Sequence, residues 1–558
     1  MASDGDLQKL LASVERRPLT RRELVKRGAA IGLSGSALAA GLASVTGRQA
    51  AQAGTLRSLL QEAPGSGVKG GELKSATIGE PPTLDEHQTT ANITAAIGYC
   101  MYETLYTYDS KYLPIPELAE SDETSPDGLT MTIKLRQNVP FHNGQMMTAG
   151  DVIASIERWG QISGVGKNLM ASVNSLDKVD DHTIQFQFKQ PYGTVKIALS
   201  HNTQACTIHP KSVLDKFGLK PLTEYVGTGP YKLTQWKPDA YILFSRFDKY
   251  AALTTPPNGY GGKKYAYFDT IRLIPVPDEA SRVSGLQAGD YQIGEEISNQ
   301  QYSVLKNAPG IVAKILTPTN WDVFFLNWKS PMMSKLAMRQ AFQATLDMEP
   351  ILLAGRGPKQ FIRLNPGLMM LQTPWYTDAG KQYYNMHNPT LAKQKLQEAG
   401  YKGEPLRFLA TQDYAYMYGQ AVVAKQQLEQ VGFKVDLQVT DWATVVQKRA
   451  KPDDWDAFVT GHGFVPDPSQ ISYVGQMDIY PGWWSAPDSL KLASQLLSET
   501  TFEKRYPIWK QLQLNAYTQI PACKTGDSSN CAFYSDRLGG WTDQIEFGIP
   551  YWNLWLKK

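Results

Sequence analysis

No single hydrophobic core organises a chain of 558 residues. Cores stop growing at roughly 250–300 residues and longer chains divide, so two or more lobes are required. With 42% hydrophobic and 20% charged residues, the chain is globular rather than disordered. Local patterning gives the lobes their class. Residues 129–135, Leu-Thr-Met-Thr-Ile-Lys-Leu, alternate apolar and polar after the Asp127-Gly128 turn. Residues 182–189 repeat the alternation through Ile184, Phe186 and Phe188, and both segments read as half-buried strands. Helices fall between such strands. Asn388 is placed to cap, Pro389 takes the first helical position, Ala392, Leu396 and Ala399 form one stripe, and Gly400 ends it. A second helix turns Ala421, Ala424, Leu428 and Val431 inward, stops at Gly432 and leads into a strand over 433–439. Thr500 and Glu503 have capping-box spacing ahead of a third helix, with Trp509 and Leu512 on its face. The class is α/β with mixed sheets, without an internal repeat of solenoid period.

The beginning of the chain follows different rules. Arg21 and Arg22 precede the uncharged run 28–47, which is diluted with Gly, Ala and Ser and followed by Ala51-Gln52-Ala53. This is similar to a twin-arginine export signal over 1–53, cleaved before Gly54, with a loose leader over 54–70. A membrane-anchoring helix is the rival reading. Length permits it, but five glycines and three serines weaken both helix formation and lipid partitioning. No cysteine lies near the cleavage site to carry a lipid anchor, so a soluble, freely diffusing periplasmic protein is expected.

Formal net charge is +3, without a basic block over 54–558, which argues against a nucleic-acid partner. The four cysteines, at 100, 206, 523 and 531, form no Cys-x-x-Cys pair. Cys523 and Cys531 flank a polar stretch that reads as a hairpin-like loop. In an oxidising compartment a disulfide could close it; the alternative is two unpaired thiols.

The stretch 118–158 contains Asp127-Gly128-Leu129-Thr130, Leu135-Arg136, Phe141-His142-Asn143-Gly144 and Thr148-Ala149-Gly150-Asp151-Val152. It resembles the signature of family 5 extracellular solute-binding proteins, the dipeptide, oligopeptide and nickel binders of ABC importers. Residues 226–232, 278–290, 338–347 and 481–513 keep the family's order. The resemblance implies a two-lobed periplasmic-binding-protein fold with two hinge crossings and a subdomain inserted in the first lobe. Lobe I is expected over 71–110, 226–275 and 481–558, the inserted subdomain over 111–225, and lobe II over 276–480. It also implies a monomer that binds a small solute, catalyses nothing, needs no cofactor and hands its ligand to a membrane permease.

By the same resemblance, ligand is expected at Thr89 and Asn92, at Asn320, Trp321 and Phe324, and at Trp442, Phe464 and Asp467. One departure stands out. Peptide binders of the family carry an aspartate three residues before the Asp-Pro pair, where it holds the peptide's α-ammonium; here that position is Phe464. Burying an ammonium without a counter-charge costs several kcal/mol. Peptides with a free N-terminus are therefore expected to bind poorly unless another carboxylate, Asp467 or Asp322, reaches the same spot. Opines, blocked peptides, sugars and related solutes come into question beside peptides. A secreted hydrolase is the competing class, but no G-x-S-x-G, phosphate-loop or H-E-x-x-H motif is present. A ligand sensor or chaperone on the same fold would share every feature above.

The export reading makes a direct prediction. Arg21→Lys with Arg22→Lys should leave uncleaved precursor in the cytoplasm, because the paired guanidiniums are the address read by the twin-arginine translocase. Cell fractionation checks it, and an unchanged periplasmic yield would overturn the reading.

Overall fold

The computed structural model describes residues 67–200 and 203–557, together with Lys26. The export segment with Arg21 and Arg22, and the leader up to residue 66, lie outside the described residues.

Two large sheets carry the fold. The first runs in the order Ile311–Ile315, Cys531–Ser535, Ile293–Gly294, Glu72–Thr77, Thr270–Pro275, Tyr241–Arg246, Tyr231–Lys237. Glu72–Thr77 is parallel to both its neighbours and the remaining pairs are antiparallel. The second has the order Ile362–Arg363, Ala522–Ser528, Asn320–Leu326, Ala457–Gly463, Pro405–Thr411, Lys434–Thr440. A third, four-stranded antiparallel sheet is built from Ala119–Thr124, Thr130–Leu135, Thr183–Phe188 and Val173–Asp180. Its register puts Met131 opposite Phe186 and Ile133 opposite Ile184, so the alternation in both strands buries one face. The helix Ala149–Ile162 covers that face with Val152, Ile156 and Trp159, all fully buried. The Thr148 backbone N–H and hydroxyl both donate to Asp151, which fixes the start of this helix.

The second sheet follows from local signals as well. Asn388 caps Pro389–Glu398 by accepting from the Leu391 N–H at 3.0 Å. The helix Ala415–Val431 ends at Gly432 with φ +111°, a left-handed turn that favours glycine.

The chain passes from the first sheet to the second between Ile315 and Asn320, and returns between Ser528 and Cys531. This corrects the expected boundary at 276: the helix Glu279–Ala288 and the strands Ile293–Gly294 and Ile311–Ile315 belong with the first sheet. It also corrects the boundary at 481. The helix Phe502–Gln519 packs on the second lobe, where Trp509 Nε1 donates to the Trp375 carbonyl and Gln513 Nε2 to that of Thr377, both at 2.8 Å. Only the chain from 531 onward rejoins the first sheet. The same geometry corrects the disulfide. Cys523 and Cys531 are free thiols on strands of different sheets. Cys523 pairs with Phe324 in the second sheet and Cys531 with Ile315 in the first, so the two thiols stand on opposite sides of the crossing.

A buried cluster ties the inserted sheet to the first lobe. Lys264 Nζ lies 2.5 Å from Glu117 and 3.4 Å from Glu103, all three buried. The Tyr250 hydroxyl donates to the same Glu103 oxygen at 2.7 Å, and the Thr228 hydroxyl donates to the other at 2.9 Å. Lys264→Met should destabilise the protein by about 3–5 kcal/mol, because it strands two buried carboxylates. Adding Glu103→Gln and Glu117→Gln should recover most of that loss in a denaturant titration.

Candidate functional site

The strand Asn320–Leu326 emerges straight from the crossing, and its alternation sorts its side chains between two layers. Trp321, Val323 and Phe325 join the core that spans both lobes, whereas Phe324 and Leu326 join the core of the second lobe. Phe324 is fully buried, edge-on to Phe342 and Phe408 at 6.1 and 5.6 Å. It belongs to that core and not to a ligand surface, which corrects the expectation for this residue. Trp321 stacks on the His462 imidazole with centroids 4.6 Å apart. Asn320, half-buried at the crossing, faces Gly463 across the sheet.

Trp442 opens the helix Trp442–Arg449, which Asp441 caps by accepting from the Thr444 N–H at 2.9 Å. Its own N–H donates to Asp413 at 2.7 Å, and its half-buried ring meets the ring of Tyr414 edge-on at 5.4 Å. At the far end of this helix, the Arg449 guanidinium lies 5.4 Å from the Trp442 ring, 5.5 Å from Phe458 and 6.0 Å from Tyr480. It is half-buried and has no ion pair among the described residues. Burial, with Arg449 nearby, holds the His462 imidazole down to about 4, so it is neutral, and its buried Nε2 has no partner. Sequence reasoning missed Arg449. The available signal was its spacing, seven residues after Trp442 on one helix, which places both on one face.

The two carboxylates considered as replacements for the missing aspartate are both committed. Asp467 is buried and accepts two bonds from Arg505, at 2.7 and 2.8 Å, and two more from Ser469. Burial alone would raise its pKa, but Arg505 and Ser469 hold it below the ordinary carboxylate value. Asp322 is fully buried, bonded to Arg356 and to Gln420 Nε2 at 2.7 Å. Asp467 is thus a structural acceptor in its turn, which decides against ligand contact between the two roles open to it in the sequence. Phe464 crosses the gap between lobes: its ring lies 4.3 Å from Tyr112 and 5.8 Å from Phe547, both first-lobe residues. Thr89 caps a turn, its hydroxyl accepting from the Ala91 N–H, and Asn92 begins the short helix Asn92–Gly98, exposed. The structure gathers Trp321 with His462 and Trp442 with Arg449.

Two lobes joined by paired crossings, with rings and an unpaired cation on the second, describe a protein that holds a solute rather than transforms one. The profile of the bacterial extracellular solute-binding proteins, family 5, middle region, matches residues 114–478. A probable peptide ABC transporter periplasmic-binding protein, y4tO of Sinorhizobium fredii, is 26% identical over 84% of this chain and 91% of its own. The oligopeptide-binding protein AppA of Bacillus subtilis is 26% identical over 80% and 85%. Among solved structures, the binding protein AgaA of A. tumefaciens R10, in complex with agropinic acid, superposes with a TM-score of 0.70 at 24% identity, covering 88% of this chain and 99% of that one. The chain belongs to family 5 of the bacterial extracellular solute-binding proteins. It has their two-lobed α/β fold and is a binding protein, not an enzyme. Among the described residues no helix is long and apolar enough to cross a membrane.

The assignment of Asp467 to structure is testable. Asp467→Asn should cost about 3–5 kcal/mol at neutral pH by leaving Arg505 buried without its counter-charge. Because the folded pKa is depressed, the ion pair's contribution is complete above the unfolded value of about 3.9 and is lost as pH falls through the lower folded value. Wild type and variant should therefore converge only in acid below about pH 4, as read by denaturant titrations across pH.

Proposed function

We propose that this chain is the exported substrate-binding component of an ABC importer, taking a carboxylate-bearing amphipathic solute between its lobes and delivering it to the permease. Arg449 carries this reading. A half-buried guanidinium set among three rings, beside a neutral imidazole with a free nitrogen, lacks only an anion. A ligand carboxylate would supply charge-assisted hydrogen bonds to Arg449, and Trp442 would cover the apolar part of the solute. Relatives named for peptides and a neighbour holding agropinic acid fit the same chemistry, since both ligand types carry carboxylates. Phe464 leaves the α-ammonium of an ordinary peptide without its usual counter-charge on the second lobe. Twin-arginine export through Arg21 and Arg22, a periplasmic location and action as a monomer complete the reading.

Calorimetry against free peptides, N-acetylated peptides, opines and sugars should find a carboxylate-bearing ligand bound one to a chain. Arg449→Gln should weaken it about 10- to 100-fold, the worth of a hydrogen bond to a charged group. Trp442→Ala should weaken it too. Undiminished affinity in Arg449→Gln, or tight binding only of uncharged sugars, would overturn the proposal.

A further inference from the structure

A second uncompensated charge lies across the gap, on the first lobe. Glu546 accepts a hydrogen bond from the Tyr112 hydroxyl at 2.5 Å through one carboxylate oxygen. Its other oxygen is buried with no partner. No cation is paired with it among the described residues, and Lys314 is already held by Asp543 at 2.6 Å. The Tyr112 ring that orients Glu546 is the ring on which the second lobe's Phe464 rests, and Phe547 touches both. The segment is fastened from each side. Gln544 Nε2 donates to the Asp109 carbonyl at 2.8 Å, and the Phe547 N–H donates to the Tyr260 hydroxyl at 3.0 Å. At Gly548, φ +139°, an added Cβ would fall 2.7 Å from the Ala96 Cα, so this backbone approach requires glycine.

We infer that Glu546 is a cation subsite, taking an ammonium or guanidinium of the bound solute beside the ring cluster of Tyr112, Phe464 and Phe547. The ligand would then be a zwitterion, its carboxylate at Arg449 and its basic group read from the first lobe. An orphan carboxylate oxygen costs free energy whether the group is ionised or protonated, because neither form finds a partner inside the fold. Burial pushes this carboxyl up to about 7. A ligand cation would supply both the missing donor and the counter-charge, with the ring faces adding cation–π attraction. The position corresponding to the peptide binders' aspartate is thereby closed by Phe464, while the counter-charge stands on the opposite lobe.

This inference rests on the proposed capture of a solute between the lobes, and matched probes separate the two. Acetyl-Ala-Arg is compared with acetyl-Ala-citrulline, its neutral isostere, and Ala-Ala-Ala with acetyl-Ala-Ala-Ala, by calorimetry on the full mature chain. In at least one pair the cationic member should bind about tenfold tighter or more. Glu546→Gln should reduce that ratio to near one while leaving the neutral member's affinity unchanged. Tyr112→Phe keeps the ring and removes only the orienting hydroxyl, so it should lower the ratio in a protein of unchanged fold. Neutral members binding as well as cationic ones, or a ratio preserved in Glu546→Gln and Tyr112→Phe, would overturn the inference and leave solute capture standing. Binding of neither member of either pair would overturn both.

Discussion

Everything in this molecule hangs on one two-stranded ribbon that runs through both lobes. Ile311–Ile315 pairs with Cys531–Ser535 in the first sheet, and Asn320–Leu326 with Ala522–Ser528 in the second. Between them the two crossings stay bonded side by side: the Leu316 N–H donates to the Asn530 carbonyl at 2.9 Å and the Thr319 N–H to that of Ser528 at 3.1 Å. Antiparallel pairing resists sliding, because a one-residue slip would turn every side chain to the wrong face. Bending at the short unpaired stretch is what such a ribbon permits, and hinge closure needs only a few residues that absorb the change. In the second sheet the register shifts between Asp322 and Val323, leaving Thr525 as the extra residue. Thr525 donates to the Asp322 carbonyl. Lys524 beside it is buried with Asp527 and sits 5.7 Å from the Trp321 ring. The ribbon thus positions Trp321 in the core that spans both lobes as well as joining them.

The fold was legible wherever the determinants are local. The Thr148–Asp151 capping box, the alternation through Ile184 and Phe186, the cap at Asn388 and the stop at Gly432 all act within a few residues. What could not be read was pairing between distant segments. Ile293–Gly294 is a two-residue strand that owes its existence to Glu72–Thr77 and Cys531–Ser535 on either side. No local pattern marks it, so the second lobe was expected to begin too early. The cysteines failed in the same way: a polar stretch resembling a loop is instead the second crossing. Even the last long helix departs slightly. It begins at Phe502 after Thr501, without a side-chain cap, rather than on a Thr500 and Glu503 box.

The site divides along the same line. Trp321 and Trp442 were singled out from short motifs, and Phe324 was misplaced because strand alternation, which separates it from Trp321, was outweighed by the motif. Arg449 and Glu546 were missed for a deeper reason. Each matters for a partner it lacks, and an absent partner is a property of the folded surroundings. Asp467 is the mirror case. In sequence it was a carboxylate in an Asp-Pro turn, open to a structural acceptor role as well as to ligand contact, and in the structure Arg505, 38 residues away, holds it. Charge in this protein is informative only after pairing has been worked out.

Closure then becomes a question of which contacts exist in only one state. Phe464 meets Tyr112 and Phe547 across the lobes, and such ring pairs contribute about 0.5–1.5 kcal/mol each beyond the area they bury. On that scale the rings bias the closed state without locking it, and a conformational equilibrium of a few kcal/mol remains for a ligand to move. To move it, a solute must bind the closed state better than the open one; tightness alone shifts nothing. A solute gripped only by Trp442 and Arg449 would touch one lobe and have little differential affinity. Contact with the first lobe supplies that difference. A ligand that reaches the Tyr112 side of the gap as well as Arg449 couples its own binding to the bending of the ribbon.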